Sequence, residues 1–368
     1  FTQEANVNAF RAALADVKGR LGAKYPMIVD GMPVEAAAEF NSTSPTDPDL
    51  VIGRFPRGNA EVAARAIEAA DRAFRTWSRV LPEERARYLF SAAGQIRKRR
   101  FELSAWMVYE LGKTWAEADG EVSESVDIME YYGRQVLEFA GSQTSKLGKL
   151  PNEDTDFFYI PLGVGAVISP WNFPMALTFG MAGAAIACGN TVVIKPASTS
   201  PTSVHRFAEI FTDLGLPPGV MNLITGPGSE LGDILVDHPR TRFVAFTGSM
   251  EVGIRIHERA AKVQLGQIWL KRTILEMGGK NALIVDRDAN LTAAIEEIVV
   301  SAFSYQGQRC SAGSRVIVDE SIYDEFVAKL VSRTRKLQVG DPSDPRTDIG
   351  PVIDQNAFQK ILKFIELG

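Results

Sequence analysis

Between residues 164 and 262 the chain alternates short apolar segments with helical stretches, and this alternation constrains its fold more than any other feature. It predicts strand 164–169, helix 175–188, strand 191–194, helix 201–214, strand 220–224, helix 229–237, strand 242–246 and helix 250–262. Strands that are apolar on both faces lie inside a sheet covered on both sides, and strands joined through helices run parallel. The expected fold class is α/β, with a parallel sheet flanked by helices. In such sheets ligands bind beyond the carboxyl ends of the strands.

The flanking segments read as mostly helical. Residues 4–24 form an amphipathic pattern, 60–77 and 82–112 carry apolar positions at helical spacing with Pro82 at a helix start, and a further helix runs from about 115 to 139. Residues 33–52 read as short and irregular, with turn signals at Ser44-Pro45 and Asp47-Pro48. The texture changes at Gly141, and 141–163 reads as a β-hairpin or arm. From about Thr273 a second α/β unit follows, with strand 281–286, helix 291–305, strand 314–318 and helix 321–337. The chain opens at Phe1 and stops inside a helical pattern at Ile365-Glu366-Leu367-Gly368, so both ends read as cut.

A length of 368 residues suits two domains, and 45% apolar residues suffice for their cores. A net charge of −5 with mixed signs argues against nucleic acid as the main partner. No apolar run approaches the ~20 residues of a membrane span, and no secretory signal opens the sequence. Two cysteines, Cys188 and Cys310, indicate a reducing compartment, so the expected location is cytoplasmic. The sequons at Asn41 and Asn290 then read as chance matches.

Chemistry-bearing residues collect at the predicted strand ends. Cys310 sits in Gly307-Gln308-Arg309-Cys310-Ser311-Ala312, where glycine frees the backbone and a neighbouring cation favours thiolate. Asn172 lies in the rigid turn Pro170-Trp171-Asn172-Phe173-Pro174; a fixed amide there serves an oxyanion or simply caps the following helix. Glu276, 34 residues before Cys310, stands among apolar residues and glycines, which suits a poorly hydrated base or a buried structural acid. Lys195 ends a strand and points to the ligand crevice or the surface. Gly248-Ser249 opens a helix and, like Gly226-Pro227-Gly228, reads either as a phosphate cradle or as a plain turn. Cys188 reads as a packed core thiol. His205, His238 and His257 are scattered, so no metal site and no Cys–His pair are expected.

Five motifs in order, Pro170–Pro174, Lys195-Pro196, Phe246–Ser249, Glu276–Lys280 and Gly307–Ser311, make the chain resemble the aldehyde dehydrogenase superfamily from about residue 25 to its end. The resemblance implies a Rossmann-like parallel-sheet cofactor domain (1–147 and 164–274), a protruding oligomerisation β-arm (148–163) and an incomplete α/β catalytic domain (275–368). It implies Cys310 as nucleophile, Glu276 as deacylating base and Asn172 as oxyanion donor. Ser169, Trp171, Lys195, Ser198, Gly228, Gly248, Ser249 and Gly278 would bind NAD, and Phe173 and Ser311 the substrate. Many NAD-preferring relatives carry glutamate where this chain has Ser198, so NADP is expected to be accepted as well.

Gly266–Arg272, Val236–Phe243 and the serine after the nucleophile are similar to the branch that oxidises L-glutamate γ-semialdehyde in proline degradation. That branch implies an amino-acid aldehyde as partner and a homo-oligomer. Two alternatives stand beside it: a dehydrogenase of another small semialdehyde, such as succinate semialdehyde, and a non-catalytic nucleotide-binding fragment.

Overall fold

The computed structural model describes residues 1–141, 143, 148 and 151–367. Among these, seven strands form the main sheet, in the order Arg272–Glu276, Thr241–Thr247, Val164–Ile168, Thr191–Lys195, Met221–Leu223, Met27–Val29 and Met32–Val34. The first five run parallel, and the last two close the edge as an antiparallel hairpin. The alternation expected for 164–262 is therefore present, with strand and helix ends within one or two residues of the expected positions.

Side-chain alternation along these strands feeds two cores. Val167, Val192, Ile194, Phe243 and Ala245 face helices Pro82–Lys98, Arg100–Leu111, Trp115–Phe139, Ala176–Ala187 and Pro201–Asp213. Val164, Ala166, Ile168, Val193, Val244 and Phe246 face helices Ala60–Trp77, Gly228–Asp237 and Met250–Ala260. Strands Val164–Ile168 and Thr191–Lys195 are buried at every position, as a doubly covered parallel sheet requires. Gly165 is needed where it stands: a Cβ there would lie 2.1 Å from the Phe243 ring.

Caps set the helix ends. The Asn59 side chain accepts from the Val62 N–H at 3.0 Å and starts Ala60–Trp77. Thr114 and Glu117 form a capping box at the start of Trp115–Phe139. The helix expected over 82–112 is two helices. Arg99 leaves helical geometry (φ −98°, ψ 14°), and its guanidinium pairs with Glu102 at 2.9 Å. The helix expected over 4–24 stops at Lys18, and Ala23–Lys24 pairs with Val51–Pro56 in a small three-stranded sheet completed by Glu39–Thr43. Residues 33–52 are thus more regular than expected.

Strands Asn281–Val285 and Gly313–Val318 pair in parallel and, with helices Leu291–Phe303 and Tyr323–Thr334, enclose a third core around Val285, Ile295, Ile298, Val299 and Phe326. Strand Arg272–Glu276, which periodicity does not reveal, joins the main sheet beside Thr241–Thr247. Part of the expected β-arm lies outside the described residues. None of the described residues of 141–163 belongs to a strand, and 151–160 is exposed throughout; a strand forms only where another edge supplies its ladder. No helix among the described residues is long and apolar enough to cross a membrane.

Candidate active site

Strand order places the site. From Val164–Ile168 the chain moves outward to Thr191–Lys195 and Met221–Leu223, then returns to Thr241–Thr247 on the other side of Val164–Ile168. The order reverses there, so the loops after Ile168 and Thr247 diverge and leave a crevice beyond the carboxyl ends. A cavity of about 1030 Å³ opens at this point. Ser169, Trp171, Asn172, Lys195, Ser198, Gly228, Gly248, Ser249, Gly278 and Cys310 line it. The sequence-predicted residues Phe173, Glu276 and Ser311 do not.

The turn after Ile168 presents Asn172 with its amide fixed at both ends. Its Oδ1 accepts from the Phe173 N–H at 3.1 Å, and its Nδ2 donates to the Gln308 carbonyl at 2.9 Å. One Nδ2 hydrogen is thereby engaged and the other is oriented. The same bond ties the turn to the loop carrying Cys310, although the two are far apart in sequence.

Before the cysteine, Tyr305, Gln306 and Gly307 follow one another in the left-handed region, with φ of 49°, 55° and 67°. Only glycine adopts that conformation freely, so the first two positions hold strain. Several contacts fix the loop downstream. Asn281 Nδ2 donates to the carbonyls of Cys310 (2.8 Å) and Ala312 (3.1 Å), and a Cβ at Gly279 would sit 2.4 Å from the Cys310 carbonyl. Cys310 itself is exposed.

Three expectations are corrected here. The Arg309 guanidinium donates to the Val300 and Ser301 carbonyls (2.9 and 2.8 Å), at the negative end of helix Leu291–Phe303. Its charge is committed to those carbonyls, not to the cysteine as the sequence suggests. Glu276 is exposed, because it ends an edge strand whose residues alternate between exposed and half-buried. Its apolar sequence neighbours Leu275 and Met277 pack inward without enclosing it. Cys188 is also exposed, at the C-cap of Ala176–Ala187, rather than packed in the core.

The opposite wall suits an anionic, polar ligand. Ser249 caps helix Met250–Ala260 by accepting from the Val252 N–H at 3.4 Å, which leaves the N-terminal dipole facing the cavity. Gly248 is required by packing, since a Cβ there would lie 2.5 Å from the Phe246 ring. Lys195 is buried; its Nζ donates to the carbonyls of Pro196 (2.7 Å) and Gly226 (3.3 Å), and burial pushes its pKa down to about 8. Ser198 Oγ donates to the same Gly226 carbonyl at 3.3 Å. Ser169 Oγ is buried on the cavity wall without a hydrogen-bond partner among the described residues, as a group awaiting a ligand would be.

Helix Gln355–Leu367 contributes Ala357, Lys360, Ile361, Phe364 and Ile365 to the lining. Sequence reading recognised its helical pattern without connecting it to the site. The contacts of Asn281 and of the Gln308 carbonyl are not legible in residue type, because each has a backbone carbonyl as the acceptor, although Gln308 itself lies within the Gly307–Ser311 motif.

An exposed cysteine and a fixed amide line one cavity, beside a helix terminus at the switch point of a parallel sheet, the arrangement of a ligand-binding α/β fold. The family model for the aldehyde dehydrogenase family matches residues 33–368, and the chain belongs to that family. Over its full length it is 53% identical to 1-pyrroline-5-carboxylate dehydrogenase of Geobacillus thermodenitrificans (strain NG80-2) and spans 71% of that relative. The structure of 1-pyrroline-5-carboxylate dehydrogenase from Thermus with bound NAD superposes with a TM-score of 0.96 at 42% identity, covering all of this chain and 70% of that one. Proline utilization A from Bdellovibrio bacteriovorus superposes with a TM-score of 0.96 at 39% identity, covering 99% of this chain and 38% of that one.

Proposed function

We propose that the chain oxidises L-glutamate γ-semialdehyde, the open form of 1-pyrroline-5-carboxylate, to L-glutamate with NAD as acceptor. The observation that carries this is the convergence of Cys310, Asn172 and the Ser249 helix terminus on one cavity, in a chain 53% identical over its length to a 1-pyrroline-5-carboxylate dehydrogenase. The cavity's size is at the upper end of ordinary ligand sites, and the unpartnered Ser169 hydroxyl and the helix N-terminus suit a dinucleotide.

Bound there, NAD supplies the hydride acceptor that turns a Cys310 thiohemiacetal into a thioester. Cys310 Sγ forms the bond to the aldehyde carbon. The free N–H of Asn172 Nδ2 and the Cys310 backbone N–H hold the oxygen that becomes negative, and a preorganised donor of this kind contributes about 3 kcal/mol. Glu276, at the end of its strand, takes the proton of the water that hydrolyses the thioester; its exposure leaves it in contact with water. Lys195 and Ser198 hold the adenosine ribose, Ser249 the pyrophosphate, and Trp171, Gly228 and Gly278 shape the cleft. Phe173 borders the aldehyde passage, and Ser311 hydrogen-bonds the substrate's carboxylate. Ser198 presents no carboxylate to a 2′-phosphate, so NADP is accepted beside NAD.

We further infer a cytoplasmic homo-oligomer in which the 148–163 arm, exposed over 151–160, gains a partner edge, with residues 1–147 and 164–274 as the cofactor domain and 275–368 as the catalytic one. The test of function is a steady-state comparison of L-glutamate γ-semialdehyde with succinate semialdehyde. Higher kcat/KM for the aldehyde lacking the α-amino group overturns the substrate assignment. Retained NAD binding with no NADH formed from either aldehyde favours a nucleotide-binding fragment.

A further inference from the structure

Asn172 and the Cys310 loop belong to different parts of the fold, yet both hang from the first turns of one helix. Glu117 and Glu121 lie four residues apart on Trp115–Phe139 and so share a face. Glu121 is fully buried. Its Oε1 accepts from the backbone N–H groups of Met175 (2.8 Å) and Ala176 (3.3 Å), which end the Asn172 turn and start helix Ala176–Ala187. Its Oε2 pairs with buried Lys113. Glu117 Oε1 accepts from the Tyr305 N–H, the first residue of the left-handed run, while its Oε2 accepts from the Thr114 N–H at 2.9 Å.

Lys113 completes the bracket. Its ammonium lies 3.9 Å from the centre of the Phe173 ring and 4.6 Å from that of Tyr305. The two rings meet edge-on at 6.1 Å, and Tyr305 is fully buried. The residue after Asn172 and the residue that opens the cysteine loop thus sit against one cation, which is itself held by Glu121.

We propose that Glu117 and Glu121 are positioning residues: Glu121 seats the Asn172 turn, Glu117 holds the strained 305–307 backbone, and their common helix fixes the oxyanion donor relative to Cys310. Neither acid touches substrate. The left-handed backbone at Tyr305 and Gln306 persists only while its surroundings over-determine it, and the Glu117 side chain accepts from the Tyr305 N–H. The inference rests on the proposed role of Cys310 and Asn172, so its test includes a measurement that needs no turnover.

Glu117 is the residue to change, because removing either member of the buried Lys113–Glu121 pair leaves an uncompensated charge and threatens folding. Glu117→Ala removes the acceptor. Glu117→Gln keeps an oxygen for Tyr305 and remains compatible with the capping box. Thr114→Val weakens the capping box but leaves the partner of Tyr305 in place. Amide hydrogen exchange over 303–309 reads the clamp directly. Glu117→Ala should speed that exchange and lower kcat roughly ten- to hundredfold. KM and NAD affinity should stay within about twofold, because only an interaction of the transition state is lost. Glu117→Gln and Thr114→Val should resemble wild type in both readouts.

Unchanged exchange in Glu117→Ala overturns the clamp. Faster exchange with unchanged kcat overturns the positioning role. Equal losses in Glu117→Ala and Thr114→Val reduce the effect to helix stability and overturn it too. If wild type itself oxidises neither aldehyde, the proposed function fails, and the exchange result still decides the clamp.

Discussion

Replacing Lys195 by methionine should make the protein more stable and a poorer binder of its cofactor. Burial lowers the Lys195 pKa from the ordinary 10.5 to about 8. A shift of that size corresponds to about 3 kcal/mol against the charged form in the folded state. The sign follows from proton counting: between pH 8 and 10.5 the unfolded chain binds the proton that the folded one has released, so wild-type stability rises with pH across that window. The penalty is fully present below about pH 8 and gone above about pH 10.5.

Methionine matches the length of the stem and removes the charge. It also strips a donor from the Pro196 carbonyl, which costs about 1 kcal/mol, whereas the Gly226 carbonyl keeps Ser198. A net gain of about 2 kcal/mol near pH 7 corresponds, for 368 residues, to a Tm higher by roughly 3 °C. Thermal melts of both proteins across the window, with NAD titrations alongside, test this. The gain should vanish toward high pH, and NAD affinity should fall roughly tenfold. A variant that melts below wild type at neutral pH, or a difference independent of pH, refutes the reasoning.

Glu276→Gln should slow thioester hydrolysis more than acylation, so rapid-mixing experiments should show an NADH burst that survives while steady-state turnover falls; unchanged turnover removes Glu276 as the base. Ser198→Glu should place a carboxylate by the ribose and lower kcat/KM for NADP at least tenfold relative to NAD, roughly the effect of one unfavourable charge. Gly165→Val should drive a side chain into the Phe243 ring, whose nearest atom is 2.1 Å from the Cβ position, and destabilise by at least about 3 kcal/mol in denaturant titrations. Phe243→Leu in the same chain should recover part of that loss.

What the sequence disclosed depended on how locally each feature is encoded. Helices Ala60–Trp77 and Trp115–Phe139 were legible to their ends, because Asn59 and Thr114 are caps written at those positions. The break at Arg99 was not, since no glycine or proline marks it and the pairing with Glu102 reads as ordinary helical charge spacing. Strand Arg272–Glu276 was hidden by its place at the sheet edge, which leaves it too exposed to look like its buried neighbours. The hairpin Met27–Val34 did carry a signal, Asp30-Gly31 with both φ values positive (57° and 73°), the dipeptide that favours a tight turn. For the site, motifs located most of the cavity wall. The Glu117–Tyr305 and Asn281–Cys310 contacts were invisible, because a backbone partner leaves no trace in residue type.

The reversal of strand order has a consequence for how the molecule comes into being. A ribosome at about 5–20 residues per second releases Asn172 several seconds before Ser249. In that interval Val164–Ile168 has its neighbour Thr191–Lys195 on one side and nothing on the other, and the slot above Gly165 that the Phe243 ring will fill stands open. A nascent chain stalled before residue 241 therefore holds five of the seven strands with a bare apolar margin, the kind of surface that recruits chaperones or aggregates. The insertion of Thr241–Thr247 closes that margin and creates the crevice in the same event, so the molecule gains solubility and its binding cleft together.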